Sequence, residues 1–452
     1  MNPEIFREYD IRGIVDKDLS KEVAKLVGKA FGTKLARDEK KMATVGRDCR
    51  LSSEILRDGV IEGILSTGID VVDLGVVPTP VFYFSLMYLN PDGGIQITGS
   101  HNPPEYNGFK VAIGNTTIYG EKIQEIRKDI EKGDFEKGNG NLKNYDIVTP
   151  YIEKIANDIN ISRKLRISID AGNGTGGEIA LKIIKNFPIE IFPLYCEMDG
   201  HFPNHHPDPT VVKNMKDLID IVLKEKLELG IAYDGDADRI GVVDEKGNII
   251  WGDKLMIIFA RDILSRNKNG TFISEVKASQ LLYDDIKKHG GKAIMWKTGH
   301  SLIKEKMREE KALLAGEMSG HIFFADRYYG YDDAIYASMR LLEILSKRKK
   351  PLSEFLSDLP KTFATPEIRV ECAEEIKFKL VDEVKNFFKD KYQIIDVDGV
   401  RVIFDDGWGL VRASNTQPAL VLRFEAKSEK RLNEIKEVIE KILGEKKKEF
   451  KG

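Results

Sequence analysis

The feature that most restricts the fold is a repeated alternation of short apolar strand patterns with amphipathic helix patterns, which continues to about residue 361. Such alternation is typical of α/β architecture, in which helices pack on the faces of a sheet. The chain has 452 residues, which is too many for one hydrophobic core. The sequence therefore predicts three or four domains.

Three successive units carry this alternation, and we place their bounds at residues 1–145, 146–248 and 249–362. Strand patterns within them lie at residues 42–46, 69–72, 94–97, 166–170, 271–274, 293–296 and 312–315. Helix patterns cover residues 52–65 and 332–345. Three βα units in a row suggest a structural repeat, although the units share little sequence.

The last segment, residues 363–452, has a different pattern. Its predicted strands, joined mostly by short turns, lie at residues 368–370, 399–403, 410–412 and 420–424, with helices near 376–385 and 430–443. This order favours antiparallel pairing. The expected fold class is α/β, with three successive mixed-sheet α/β domains followed by a C-terminal antiparallel α+β domain.

The run from Thr98 to Lys110 presents a serine for chemistry. It reads Thr-Gly-Ser-His-Asn-Pro-Pro-Glu-Tyr-Asn-Gly-Phe-Lys and directly follows a strand pattern. Gly99 allows a turn, and the two prolines resist helix, so the run is predicted to be a loop. A serine hydroxyl is a weak nucleophile unless a neighbour takes its proton or it carries a transferable group. Ser100, beside His101, is the candidate reactive group, although a polar turn would explain a bare Ser-His pair.

Three aspartates alternate in the run Asp234-Gly-Asp236-Ala-Asp238-Arg239. Clustered carboxylates are not buried unless a cation neutralises them, and hard oxygen ligands select Mg²⁺, Ca²⁺ or Mn²⁺. The spacing also matches a calcium-hand loop, but Arg239 stands where that loop needs glycine, and the flanking patterns are strands. We therefore predict a metal site, with a solvated acidic turn as the alternative.

Two further loops are rich in groups that bind sugars and phosphates. Glu317, Ser319 and His321 alternate between glycines, and a carboxylate with a hydroxyl suits paired sugar hydroxyls. Within residues 411–418, the five residues from Arg412 to Thr416 combine a guanidinium, two hydroxyls and an amide, a set suited to phosphate oxygens. Each loop taken alone is about equally well explained as an ordinary turn.

Two other motifs are interpreted as structural. The glycine-rich run 172–177 follows a strand pattern, but no Lys-Ser/Thr follows it, so we predict a tight strand-to-helix turn. His205 and His206 are neighbours in a proline-rich segment, where adjacent histidines seldom share a metal ion. That segment is predicted to cover a cleft or a domain junction.

Composition limits the partners that the chain is expected to have. A net charge of −3 gives no reason to expect binding to nucleic acid or to an anionic membrane, and no window approaches the ~18 apolar residues of a membrane span. The N-terminal residues lack a signal-peptide pattern. Cys49, Cys196 and Cys372 are far apart and form no disulfide framework, which favours a reducing, cytoplasmic location. The chain could be a monomer or a homodimer.

The serine, aspartate, sugar and phosphate loops occur in this order in the α-D-phosphohexomutases. The chain resembles that family, specifically its phosphomannomutase/phosphoglucomutase branch, over nearly its full length, including the run Tyr9-Asp-Ile-Arg12-Gly. The resemblance implies four domains around one central cleft, each giving one loop. Met318 is typical of the mannose and glucose enzymes, since glucosamine mutases usually carry glutamine there. Gln417 departs slightly from the family, which more often has an acidic or hydroxyl residue at that position.

The resemblance also implies roles for individual residues. Ser100 would be the phosphoserine, and one Mg²⁺ per chain would be held by Asp234, Asp236 and Asp238 with an oxygen of the group on Ser100. Glu317 and Ser319 would contact the sugar hydroxyls. Binding of substrate, including its non-reacting phosphate, is assigned to Tyr9, Lys277, Arg412, Ser414, Asn415, Thr416 and Arg423. The resemblance implies catalytic roles for Arg12, Lys110 and His300. His101, Arg239 and His321 are added as catalytic candidates because of their places in the serine, aspartate and sugar loops.

The reaction implied by the resemblance interconverts hexose 1-phosphates and 6-phosphates, of mannose and/or glucose, through a hexose 1,6-bisphosphate that also serves as activator. A general base must take the hydroxyl proton. His101, Lys110, His300, His321 and Arg12 remain open for that role. The alternatives are a phosphoglucosamine mutase, a Mg²⁺-dependent sugar-phosphate phosphatase and a non-catalytic sugar-phosphate binding protein.

Overall fold

The computed structural model describes residues 1–415 and 417–449. The strands are β1 (Ile11–Ile14), β2 (Met42–Arg47), β3 (Asp70–Val76), β4 (Gly93–Ile97), β5 (Tyr106–Ile113), β6 (Thr116–Thr117), β7 (Leu142–Asn144), β8 (Leu165–Asp170), β9 (Ile189–Leu194), β10 (Leu229–Tyr233), β11 (Ile240–Asp244), β12 (Ile249–Ile250), β13 (Thr271–Glu275), β14 (Lys292–Trp296), β15 (Leu314–Gly316), β16 (Ile322–Phe324), β17 (Phe363–Ala364), β18 (Ile368–Glu371), β19 (Gln393–Ile395), β20 (Val400–Phe404), β21 (Gly407–Ala413) and β22 (Ala419–Ala426).

The α-helices are α1 (Lys21–Arg37), α2 (Ser53–Leu65), α3 (Thr79–Tyr88), α4 (Glu121–Lys132), α5 (Val148–Asp158), α6 (Gly176–Ile184), α7 (Lys216–Glu225), α8 (Gly252–Leu264), α9 (Gln280–Lys288), α10 (His300–Glu310), α11 (Ala334–Ser346), α12 (Glu374–Phe388) and α13 (Glu429–Glu449). Short 3₁₀ turns lie at Pro3–Ile5, Val212–Met215 and Leu352–Glu354. Among the described residues, none of these helices is long and apolar enough to cross a lipid bilayer.

The first sheet is mixed, with the strand order β1-β5-β4-β2-β3-β7. Its central strands β4, β2 and β3 are parallel, whereas β5 runs antiparallel to β4 and to β1. The carboxyl ends of β2 and β4 therefore meet at one edge, where Arg47 and Ile97 are paired. The loops that follow these two strands are consequently neighbours.

The second and third sheets are also mixed, with the orders β12-β11-β10-β8-β9 and β14-β13-β15-β16. Each has parallel strands and an antiparallel hairpin beside them, β10–β11 and β15–β16 respectively, and β12 continues the second sheet antiparallel to β11. These two hairpins carry the aspartate run and the sugar loop at their turns. An apolar core that includes Phe82, Tyr151 and Tyr336 is shared by helices α3, α5 and α11, so the first three domains pack as neighbours.

The fourth sheet is antiparallel, with the order β17-β22-β21-β20-β19 and with β18 paired to β22. Helices α12 and α13 share its core, which includes Leu380, Leu422 and Ile439. The predicted fold class is confirmed: three mixed-sheet domains are followed by an antiparallel α+β domain.

Most predicted elements are confirmed, with shifts at their ends. The strand expected at 312–315 begins later, at Leu314, and helix α11 begins at Ala334 because Asp333 caps it by accepting a hydrogen bond from Tyr336 N. The glycine-rich run is a strand-to-helix turn, as predicted, since it joins β8 to α6. The three cysteines are free.

Candidate active site

Ser100 follows β4 and is held in an uncommon backbone conformation. Its φ is +49°, in the left-handed region, and the residue is only 3% exposed. Its hydroxyl Oγ donates to Asp234 Oδ2 at 3.1 Å and lies 3.1 Å from His101 Nδ1. Left-handed conformations of a non-glycine residue cost free energy and persist where the surroundings fix them, often at functional sites. The geometry aims this hydroxyl at the aspartate run.

The aspartate run forms the turn of the β10–β11 hairpin, and alternation brings its three side chains to one point. Asp234, Asp236 and Asp238 are almost completely buried, and one oxygen from each lies within 4.8 Å of the others. Lys110 Nζ bridges Asp236 Oδ2 at 2.9 Å and Asp238 Oδ2 at 2.5 Å. Asp236 Oδ1 is buried and has no hydrogen-bond donor among the described residues. This carboxylate oxygen is therefore available to coordinate a cation.

A close backbone approach joins the aspartate run, residues 234–239 and from here on called the metal loop, to the serine loop, residues 98–110. A Cβ added to Gly235 would lie 2.5 Å from the Ser100 carbonyl oxygen, so only glycine fits there. On its other side, the Gly235 carbonyl accepts from both the backbone N and the hydroxyl of Thr175. The glycine-rich turn after β8 therefore supports the metal loop from behind.

The pKa values of the carboxylates in this cluster are shifted in opposite directions. Burial and the two neighbouring carboxylates raise the pKa of Asp234 well above its usual range. Burial alone would also raise the pKa of Asp238, but Lys110 and His321 outweigh it and hold that pKa well below its usual range. Burial would lower the pKa of Lys110, yet the paired carboxylates raise it, so this lysine stays charged.

Three histidines lie around the cluster in different charge states. Burial, reinforced by nearby cations, lowers the pKa of His101 and of His300 well below the usual value, which keeps both rings neutral. Burial would do the same to His321, but its contacts with Asp238, at 3.2 Å, and Glu317, at 2.9 Å, raise its pKa to about 9. The site therefore combines proton acceptors with a fixed imidazolium.

The sugar loop is the turn between β15 and β16. Glu317 Oε1 accepts from Gly299 N at 2.8 Å, and Glu317 N donates to the His321 carbonyl at 2.9 Å. Gly320 has φ +95° and packs against Ile240 at the start of β11, where a Cβ would lie 2.3 Å from a carbonyl oxygen. The sugar loop is thereby fixed against the hairpin of the metal loop.

The phosphate loop joins β21 to β22. Arg412 Nε donates to Asp398 Oδ2 at 3.1 Å, and Asn415 Nδ2 donates to Tyr9 Oη at 3.0 Å. Lys377 Nζ donates to the carbonyls of Ser414, at 2.5 Å, and Gln417, at 3.2 Å. A lysine of α12 thus binds the backbone of the loop, while Arg412, Ser414 and Asn415 line the cleft.

A cleft of about 890 Å³ unites these loops, and residues from all four domains line it. Among the predicted site residues, those at its wall are Tyr9, Arg12, Ser100, His101, Lys110, Asp238, Arg239, Lys277, His300, Glu317, Ser319, His321, Arg412, Ser414, Asn415 and Arg423. Asp234 and Asp236 lie directly behind that wall. Thr416 lies outside the described residues.

Four family profiles match the chain in succession. They are described as the phosphoglucomutase/phosphomannomutase alpha/beta/alpha domains I, II and III and the C-terminal domain, and they match residues 3–137, 149–247, 251–363 and 367–442.

The chain belongs to the phosphoglucomutase/phosphomannomutase family. It is 47% identical to the phosphomannomutase/phosphoglucomutase of Pseudomonas aeruginosa over 441 residues, which cover 97% of this chain and 95% of that protein. It is 47% identical to a phosphoglucomutase of Neisseria meningitidis over 97% of both chains. The crystal structure of a family protein from Burkholderia thailandensis superposes with a TM-score of 0.94 at 42% identity, covering 99% and 98% of the two chains. The predictions of this family, and of an enzyme within it, are confirmed.

Sequence reasoning missed several residues of this phosphohexomutase cleft. Its wall also includes Arg7, Asp10, Asn102, Tyr106, Asp208, Thr210, Trp251, Thr298, Glu367 and Arg369. Buried Glu275, which accepts from Thr298 Oγ1 and lies 3.3 Å from Lys277 Nζ, supports it from behind. One signal was available, since Asp208 belongs to the proline-rich segment 202–209 that was expected to cover a cleft or a domain junction.

Proposed function

We propose that this chain interconverts hexose 1-phosphate and hexose 6-phosphate, of mannose and/or glucose, through a phosphorylated Ser100 and a hexose 1,6-bisphosphate intermediate. The observation that carries the proposal is the hydrogen bond from Ser100 Oγ to the aspartate cluster, in a cleft that also holds a separate cationic loop around Arg412. A mutase needs both features, because one phosphate reacts while the other is held.

The aspartate cluster fits Mg²⁺, with one ion per chain. Asp234, Asp236 and Asp238 supply hard oxygen ligands, and the buried Asp236 Oδ1 has no donor among the described residues. A phosphoserine carries about −1.5 to −2 charge near neutral pH, and Mg²⁺ bound here would offset it. Lys110 and Arg239 add fixed positive charge for the transferring group.

In the transfer, the bond between phosphorus and the Ser100 oxygen breaks while a bond forms from phosphorus to the free hydroxyl oxygen of the sugar. The hydroxyl proton passes to a basic side chain, and the released serine oxygen takes up one proton, so protons balance. The bisphosphate then turns end over end and returns its other phosphoryl group to Ser100. His101, Lys110, His300, His321 and Arg12 all stand at the cleft as candidates for the proton transfers.

The C-terminal loop is proposed to hold the phosphate that does not react. Arg412 carries the guanidinium, with Ser414, Asn415 and Thr416 beside it in sequence. Glu317 and Ser319 are proposed to contact the sugar hydroxyls, whereas Tyr9, Lys277 and Arg423 complete the substrate-binding wall. The bisphosphate is proposed as activator because it can load the phosphoryl group onto an unmodified serine.

The deciding experiment is a coupled assay with mannose 1-phosphate or glucose 1-phosphate, in the presence of Mg²⁺ and the matching 1,6-bisphosphate. Wild-type protein should form the 6-phosphate and should carry one phosphoryl group on Ser100 by intact mass. Ser100→Ala should lose both, while Ser265→Ala, an exposed serine outside the cleft, should keep both. Full turnover in Ser100→Ala would contradict the proposal.

The same assay separates the alternatives. Preference for glucosamine 1-phosphate would indicate a phosphoglucosamine mutase. Release of one inorganic phosphate per substrate consumed would indicate a phosphatase, and binding without turnover would indicate a binding protein.

We further propose the domain bounds 1–145, 146–248, 249–362 and 363–452, a cytoplasmic location in keeping with three free cysteines, and a monomer or homodimer as the working form.

A further inference from the structure

A buried arginine outside the predicted site holds the serine loop. Arg50 is 1% exposed and follows β2. Its guanidinium donates to four backbone carbonyls of the serine loop: those of Ser100 at 2.8 Å, Asn102 at 2.5 Å, Pro103 at 2.6 Å and Tyr106 at 3.1 Å. A guanidinium presents its N–H donors in a rigid planar fork, so four carbonyls bound to one fork define the shape of that loop.

Asp48 also binds the serine loop. Its Oδ2 accepts from Gly99 N at 3.1 Å and lies 3.2 Å from Arg50 Nε, while its Oδ1 accepts from Arg50 N at 3.0 Å. A Cβ added to Gly99 would lie 2.4 Å from Arg50 Nε, so the guanidinium lies directly against the loop backbone. The carboxylate thus binds a backbone donor of the loop while the neighbouring guanidinium binds its carbonyls.

Residues of the second domain cover this arginine. The Phe202 ring lies 5.1 Å from the guanidinium carbon, and Gly200 packs so closely that a Cβ would be 2.6 Å from the Cys49 carbonyl oxygen. The Arg50 side chain therefore cannot reach solvent without breaking these contacts. Its hydrogen bonds are formed in a low-dielectric environment, where they are strong and where unpaired carbonyls are costly.

We propose that Arg50 is a positioning residue that fixes Ser100 Oγ for phosphoryl transfer. The carbonyl of Ser100 that Arg50 binds is the same atom that Gly235 of the metal loop approaches. One guanidinium thus maintains both the left-handed conformation of the serine and its spacing from the aspartates. Lysine cannot replace it, because a single ammonium does not reach four carbonyls arranged around a planar fork. The inference rests on the proposed phosphoserine function.

The test compares Arg50→Lys and Arg50→Ala with Arg340→Lys. Arg340 is an equally buried arginine, but it pairs with Asp326 away from the cleft, at 2.7 and 2.8 Å. The measurements are kcat and KM for mannose 1-phosphate, the rate at which bisphosphate phosphorylates Ser100 by intact mass, and the melting temperature. A third arm adds methylguanidine to Arg50→Ala.

Arg50→Lys should lower kcat and the Ser100 phosphorylation rate together by about 100-fold, since a displacement of about 1 Å costs that much, while KM changes little. Methylguanidine should restore part of the kcat of Arg50→Ala. Arg340→Lys should lower the melting temperature and leave kcat unchanged. The inference fails if Arg50→Lys keeps wild-type rates, or if its lost activity equals its unfolded fraction by circular dichroism. A wild-type protein without mutase activity would instead refute the proposed function.

Discussion

Magnesium should stabilise the folded protein through the aspartate cluster. The three buried aspartates face Lys110 and Arg239, and the His321 imidazolium lies between Asp238 and Glu317. Four carboxylates and three cations leave one formal negative charge uncompensated before any metal binds. Burial and, after it, repulsion from the two neighbouring carboxylates raise the pKa of Asp234, and a bound cation would oppose both effects. A ligand that binds only the native state adds RT ln(1 + [L]/Kd) to the free energy of unfolding.

The expected size follows from that relation. At a free Mg²⁺ concentration of about 100 times Kd, the gain is about 2.7 kcal/mol. A cooperative unit of about 150–250 residues shifts by roughly 2–4 °C per kcal/mol, so the melting temperature should rise by roughly 5–11 °C. The assay is scanning fluorimetry of protein stripped with EDTA and titrated with MgCl₂.

Asp236→Asn is the matched perturbation. Its amide oxygen still accepts from Thr79 and Lys110, which donate to Asp236 Oδ2 at 2.6 and 2.9 Å, so metal-free stability should change by no more than about 1 kcal/mol. A tenfold weaker Kd would remove about 1.4 kcal/mol of the magnesium gain, and turnover should fall sharply. Asp220→Asn, at an exposed surface pair, should behave as wild type. Equal melting temperatures of the wild type in EDTA and in Mg²⁺, or a full shift in Asp236→Asn, would refute the reasoning.

Two other predictions concern groups away from the transferring phosphoryl. Arg412→Ala should mainly raise KM, by 10-fold or so, because it removes binding that is equal in ground and transition states; an unchanged KM with lower kcat would contradict this. Burial raises the pKa of Asp333 to about 7, although Tyr151 and Tyr328 donate to it, so its contribution to stability is full below about pH 4 and is lost as pH rises through about 7. Chemical denaturation at about pH 4.5 and 7.5 should therefore show wild type losing about 3 kcal/mol relative to Asp333→Asn, and equal pH profiles of the two proteins would overturn the assignment.

The candidate site was predictable wherever its residues lie close together in the chain. The alternate spacing of Asp234, Asp236 and Asp238 could be recognised without coordinates, because a tight hairpin turn brings alternate side chains to one side. The serine loop was recognisable because its glycine and prolines end a strand. Lys110 and His300 were assigned by family resemblance, whereas His321 was recognised by its place in the sugar loop. The packing of the domains brings all three side chains to one cleft.

Arg50 illustrates what sequence reasoning missed. It stands 50 residues before Ser100, in a run that looks like an ordinary connection after a strand. Only the parallel pairing of β2 with β4 brings the two strand ends together and places the guanidinium beneath the serine loop. The order of strands in a sheet depends on the packing of whole domains, and a local pattern carries little information about it.

The sequence by itself determined the succession of strands and helices, the change from mixed to antiparallel sheets, and the chemical identity of the four loops, because those properties depend on side-chain periodicity and on turn residues that act within a few positions. The tertiary structure alone decided which distant groups meet. The hydrogen bond between Tyr9 and Asn415 joins residues 406 positions apart, and Lys110 reaches aspartates of another domain. Such contacts form because apolar surfaces exclude water when domains pack, and burial then fixes the charge of every group enclosed between them.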